Sequence, residues 1–193
     1  MSVMVDLLDS QWGQQLLSDY HVVKCVHISP MSEVFALEST DGRIRLILKA
    51  MKPGIISTQM LETLKTSTID GVVPIHDYYV TENYTYVVKP YIEGVSLQES
   101  IVQGLSIETL LNLMKQLVKI VSNCHSQSTP IILRDIKPDN LMICEGQLQF
   151  FDMEASKLKV STTTSRDTVL LGTPGYAAPE QYRSEERRVW KEC

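Results

Sequence analysis

The sequence predicts an α+β protein in two lobes, a β-rich front joined near residues 88–94 to a helix-rich back. Three observations carry that reading. Thr40-Asp41-Gly42 stands between two strand-like runs, and an Asp-Gly in such a place is a strong hairpin signal. From Ser106 onward Ile107, Leu110, Leu111, Met114, Leu117, Val118 and Val121 recur at intervals of three and four, which is one broad face of a long amphipathic helix. The change from one pattern to the other falls after Gly94.

In chain order, residues 1–19 stand apart as an N-terminal extension. EVFALE (33–38) and RIRLILK (43–49) are the arms of the first hairpin. Ser57 to Thr66 reads as a short helix with Ser57 as its N-cap, because a serine hydroxyl there accepts from an otherwise orphaned amide. DYYVTENYTYVV (77–88) reads as a second hairpin turning at Glu82-Asn83. The long helix from Ser106 follows, and then two short strands, LMIC (141–144) and QLQFF (147–151), joined at Glu145-Gly146. No internal repeat or low-complexity block interrupts this order.

Composition sets the outer limits. With 193 residues, 44% apolar and 21% charged, the chain is globular and long enough for a core that needs no disulfide or metal. Eighteen basic against 23 acidic residues, a net charge of −5, argue against a nucleic-acid module, which needs clustered Lys and Arg for phosphate contacts. No run reaches the roughly 18 apolar residues of a membrane span, and the acidic start, MSVMVDLLD, is unlike a signal peptide. An anchor beyond the last residue is left open. Cys25, Cys124, Cys144 and Cys193 lie far apart, with no CxxC pair and no His at metal spacing, which predicts buried thiols in a reduced, cytoplasmic setting. Cys124 reads as core, and His21, His76 and His125 as ordinary surface or core residues.

Three motifs carry chemistry. The most specific is Leu133-Arg134-Asp135-Ile136-Lys137-Pro138-Asp139-Asn140. Asp152 stands twelve residues after Asn140, at the end of the second short strand, in Asp152-Met153-Glu154. The third is Gly172-Thr173-Pro174-Gly175-Tyr176-Ala177-Ala178-Pro179-Glu180. On these residues the chain resembles the eukaryotic-type serine/threonine protein kinases, in their bacterial style, over residues 20–182. The resemblance implies a bilobal fold, with a β-rich N-lobe over 20–91 and a partial, incomplete helical C-lobe over 92–182. It also implies ATP and Mg²⁺ as cofactors, and transfer of a phosphoryl group to a Ser or Thr hydroxyl of a protein substrate.

By that resemblance Asp135 is the base, Lys137 the γ-phosphate contact, and Asn140 and Asp152 the metal ligands. Thr173 is implied to hydrogen-bond the catalytic Asp and Lys and to shape the substrate site. Ile47-Leu48-Lys49 resembles the Val-Ala-Ile-Lys segment, making Lys49 the α/β-phosphate ligand. Its implied partner is Glu62, the acidic residue between Lys49 and Asp70, although the spacing fits Met60 as well. Val34 suits the roof of an adenine slot, and the Pro90 carbonyl and Ile92 amide the adenine bonds. The hydroxyls of Thr162, Thr163, Thr164 and Thr168 belong either to a solvated loop or to autophosphorylation sites that pair with Arg134.

The departures matter as much as the matches. The phosphate loop, glycine-rich in the family, reads His27-Ile28-Ser29-Pro30-Met31-Ser32-Glu33-Val34, without a glycine and with a proline that removes a donor. Lys89 stands where a large apolar gatekeeper is usual, Leu133 where a histidine is usual, and Glu154 where a glycine is usual. These residues keep an alternative in view, a pseudokinase-like module that binds nucleotide or a partner with little transfer. Residues 183–193, RSEERRVWKEC, resemble a translated sequencing adapter apart from Trp190, the alternative being a solvated helix end. On the adapter reading the natural chain is interrupted near Tyr182, and whether so short a chain is active by itself stays open.

Overall fold

The computed structural model of the chain describes residues 2–159 and 173–177. They fall into two compact units. The first holds the described residues through Thr68 together with Val73–Ile92, and the second holds Ile69–Val72 and the described residues from Glu93 onward.

The first unit opens with two short helices, α1 (Val3–Leu8) and α2 (Gln11–Asp19), N-capped by the Ser2 and Ser10 hydroxyls. Five strands follow, β1 (Tyr20–Ile28), β2 (Ser32–Ser39), β3 (Arg45–Met51), β4 (Asp77–Val80) and β5 (Thr85–Pro90), with α3 (Thr58–Thr66) between β3 and β4. The strands form one antiparallel sheet in the order β1-β2-β3-β5-β4. The β2–β3 hairpin turns where Asp41-Gly42 predicts it, with Gly42 at φ 71°. Ser57 caps α3 through the Met60 amide, as expected, and α3 buries Met60, Leu61 and Leu64.

Alternation along β2, β3 and β5 places Phe35, Leu37, Leu46, Leu48, Tyr86 and Val88 in one apolar cluster, and Val3 and Leu7 of α1 are buried in the same cluster. Trp12 of α2 stacks on Tyr79 with ring centroids 5.3 Å apart and donates its indole N–H to Asp77 at 2.8 Å. The stretch read from sequence as an extension is thus built into this core.

The second unit contains β6 (Val95–Ser96), α4 (Leu97–Gln103), α5 (Ile107–His125), β7 (Ile131–Ile132), β8 (Leu141–Cys144), β9 (Gln147–Phe150) and β10 (Lys157–Leu158). β6, β8 and β9 form a three-stranded sheet, and β7 pairs with β10. The β8–β9 hairpin turns at Glu145 (φ 49°) and Gly146 (φ 77°), the two positive φ values of a tight hairpin turn.

Two expectations are corrected here. The long helix exists as expected, capped by Ser106, but it packs through Leu113, Ile120 and Cys124, while Ile107, Leu111 and Val118 are 78%, 58% and 69% exposed. Apolar residues occupy much of its circumference, so periodicity predicts the helix without selecting the side that packs. The thiols are also not uniformly buried. Cys124 is buried, and burial pushes its thiol up to about 11, but Cys25 is exposed on the edge strand β1 and Cys144 is half-buried. Cys193 lies outside the described residues.

Candidate functional site

In the second unit, the segment after β7 runs through a single turn of 3-10 helix at Pro138–Asn140 into β8. Pro138 begins that turn, where its fixed φ suits the bend and its missing N–H is not needed. Asn140 is buried, and its backbone carbonyl accepts from the Phe151 amide just past β9 at 3.1 Å, so the β8–β9 hairpin fixes the turn from behind.

Four side chains meet in front of it. Asn140 Nδ2 donates to Asp135 Oδ2 at 2.9 Å and to the Asp135 carbonyl at 2.8 Å. Lys137 Nζ lies 3.2 Å from Asp135 Oδ2 and donates to Thr173 Oγ1 at 2.8 Å. Thr173 Oγ1 in turn donates to Asp135 Oδ1 at 2.7 Å. Each Asp135 oxygen is thereby held by a separate donor, which fixes the carboxylate plane. The side chains of Lys137 and Asp135 are only 21% and 16% exposed, so this ion pair is screened less than a surface pair.

Asp152 follows β9, half-buried, with its Oδ1 accepting from the Glu154 amide at 3.4 Å. Met153 fills the apolar position expected of it at 1% exposure, and Glu154 is 3% exposed. Among the described residues Glu145 is the non-glycine residue with positive φ. The turn at 152–154 therefore forms without the conformation that would have required glycine at 154. Arg134 donates its Nε–H to the Ala155 carbonyl at 2.7 Å, closing the segment after Asp152 against the 133–137 loop.

The remaining site candidates lie in the first unit. Lys49 is half-buried in the middle of β3, opposite Val34 of β2 and Val87 of β5. Lys89, at 6% exposure, stands on β5 opposite Ile47. Pro90 ends β5, and the Tyr91 amide donates to the Arg45 carbonyl at 3.0 Å, with the Arg45 guanidinium 4.5 Å from the Tyr91 ring centroid. Ile92 is half-buried and is the last residue of this unit. On α3, Met60 is buried in the core, whereas Glu62 is exposed and accepts from the Tyr78 hydroxyl at 2.9 Å.

The glycine-less loop is a tight one. β1 and β2 pair as far as Ile28 opposite Glu33, with register shifts between Val22 and Lys24 and between Cys25 and His27, and Ser29 to Ser32 turn the chain. The Ser29 hydroxyl accepts from the amides of Met31 (3.3 Å) and Ser32 (3.0 Å). Sequence reading missed that closure, although Ser29 ahead of Pro30 is the signal for it, since serine bonds its own backbone in turns. Thr162, Thr163, Thr164 and Thr168, and all of residues 183–193, lie outside the described residues.

A family model described as the protein kinase domain matches residues 22–189. The chain is 26% identical over 182 residues to the serine/threonine-protein kinase PrkC of Bacillus subtilis, covering 89% of this chain and 28% of that protein. It is 27% identical over 190 residues to serine/threonine-protein kinase D of Synechocystis sp., covering 86% of this chain and 37% of that protein. It is 32% identical over 182 residues to CBL-interacting protein kinase 15 of Oryza sativa, covering 87% and 41%. The chain thus spans well under half the length of each of these relatives.

Proposed function

The chain belongs to the protein kinase domain family, and from that footing we propose that it transfers the γ-phosphoryl group of ATP, taken with Mg²⁺, to Ser or Thr hydroxyls of a protein. The observation that carries this reading is the hydrogen-bonded set of Asp135, Lys137, Asn140 and Thr173. Phosphoryl transfer asks for an aligned acceptor and for cations over developing charge, more than for covalent help. Asp135 is the base: it orients the substrate hydroxyl and takes its proton as oxygen bonds to phosphorus and the bond from phosphorus to the leaving ADP oxygen breaks. Lys137 stands beside it as the cation for the transferred group. Thr173 holds both side chains in place.

The donors also fit a hard cation. The two bonds to Asp135 use the N–H groups of Asn140, which identifies its other polar atom as the amide oxygen. That oxygen and the Asp152 carboxylate are the ligand types Mg²⁺ takes, with phosphate oxygens and water completing its shell. When bound, the ion offsets charge on the phosphates. In the first unit we assign Lys49 to the α/β-phosphates, Val34 to the adenine roof, and the Pro90 carbonyl and Ile92 amide to the adenine edge. Glu62, the partner its sequence position offers Lys49, is exposed and accepts from the Tyr78 hydroxyl. No helix among the described residues is long and apolar enough to cross a membrane.

The test is incorporation of phosphate from ATP·Mg²⁺ into protein Ser or Thr. Asp135→Asn keeps the shape and removes the base, and a drop of about 10²–10⁴-fold is expected. One observation favours a second reading, a module that binds without transfer: the self-bonded turn at Ser29–Ser32. A wild-type protein that transfers no more phosphate than Asp135→Asn, yet gains melting temperature with ATP·Mg²⁺ through Lys49, establishes that second reading instead. A gain that survives Lys49→Ala unchanged removes Lys49 from the site.

A further inference from the structure

The turn between β1 and β2 has spent its own amide groups. Ser29 N–H donates to the Ser32 carbonyl at 2.8 Å, and Pro30 has no N–H. The amides of Met31 and Ser32 both point at the Ser29 hydroxyl, 3.3 and 3.0 Å away. That hydroxyl also lies 3.1 Å from the Ser32 carbonyl and 3.2 Å from the Ser32 hydroxyl, so its proton has acceptors within the turn. The Met31 carbonyl accepts from the Lys52 amide at 3.0 Å, which ties the tip to the end of β3. Every backbone N–H from 29 to 32 is therefore absent or bonded inside the turn.

We propose that Ser29 is a positioning residue that occupies the amide donors of this turn in place of a nucleotide phosphate and so sets the affinity for nucleotide. The proposal rests on the nucleotide reading above and deepens it. A phosphate oxygen accepts from backbone N–H groups, and a serine oxygen within the same turn is a competing acceptor at very high effective concentration. Removing the hydroxyl leaves Met31 and Ser32 with donors to offer, and each regained charge-assisted bond is worth about a factor of ten in affinity.

The experiment uses the 193-residue chain as wild type, Ser29→Ala and Ser29→Thr, titrated calorimetrically with ATP·Mg²⁺ and with adenosine. Amide exchange of Met31 and Ser32 is followed in parallel. Ser29→Ala is expected to bind ATP·Mg²⁺ about 10–100-fold more tightly, for one or both amides regained, to leave adenosine affinity unchanged, and to exchange both amides faster. Ser29→Thr, which keeps the hydroxyl, is expected to match wild type in all three. Equal ATP affinity in Ser29→Ala and wild type, or an equal gain for adenosine, overturns the proposal. If that occurs while ATP binding still depends on Lys49, the nucleotide reading survives alone. If no variant binds ATP although Ser29→Ala releases the two amides, both fall.

Discussion

Asp6 of α1 is 6% exposed, and burial alone would raise its pKa by disfavouring the charged form. Hydrogen bonds from Asn83 Nδ2 (2.7 Å), Thr81 Oγ1 (2.8 Å) and the Tyr86 hydroxyl (3.0 Å) outweigh that penalty and hold the carboxyl below its ordinary 3.8. Burial, reinforced by the same carboxylate, pushes the Tyr86 hydroxyl far up, so this phenol stays a donor at every working pH. A depressed folded-state pKa contributes stability that is complete above 3.8 and is lost as pH falls below it. Urea unfolding should therefore show constant Asp6-linked stability down to about pH 5 and a decline from about pH 4 downward. Asp77, held low by Lys65 and Trp12 against its burial, adds to the same limb. Asp6→Asn turns an amide N–H toward donors and should cost about 2 kcal/mol at neutral pH while making the acid limb shallower. An acid limb identical to wild type would exclude Asp6 as a source of it.

What was legible in the sequence is what local stereochemistry dictates. Gly42 at positive φ and the serine caps at Ser57 and Ser106 are decided within four residues, so the hairpin and both helix starts stand where they were expected. The meeting of Asp135, Lys137, Asn140 and Thr173 was legible through motif resemblance, since nothing local brings residue 173 to residue 135. Decisions taken by packing were not legible. The six and nine residues of α1 and α2 are too few for periodicity to announce, although Ser2 and Ser10 cap them. The direction of Glu62 depends on Tyr78, sixteen residues away. Leu7, fully buried in the cluster with Leu48, shows what α1 contributes. Leu7→Ala should cost about 2–5 kcal/mol, within about 1 kcal/mol of Leu48→Ala. A near-neutral Leu7→Ala by equilibrium denaturation would return residues 3–8 to the status of a detachable extension.

Across the whole molecule the chain passes between the two units three times, and the four residues Ile69–Val72 belong to the second unit although both flanks belong to the first. Their attachment is specific. Lys119 Nζ is 2.8 Å from Asp70 Oδ2, and Asn123 Nδ2 donates to the Asp70 carbonyl at 3.1 Å. The Phe150 amide donates to the Gly71 carbonyl at 2.8 Å, beside a parallel bridge from Val72 to Phe150. The exposed Asp70–Lys119 pair is worth little by itself. Gly71 is the tighter constraint, because its φ is 83° and a Cβ there would land in the Ile120 side chain, with Cδ1 at 2.8 Å. Gly71→Ala thus meets a left-handed backbone penalty of about 1–2 kcal/mol and an overpacking penalty of about 1–3 kcal/mol. Ile120→Ala opens a cavity and should cost about 2–5 kcal/mol. In the double variant the added methyl enters that cavity, so the steric part of the first cost is relieved while the backbone part remains. The double variant should therefore unfold at about 1–2 kcal/mol less than the summed cost of the single changes. Strict additivity in urea denaturation would show that the backbone conformation of Gly71, and not its approach to Ile120, is what holds this segment to α5.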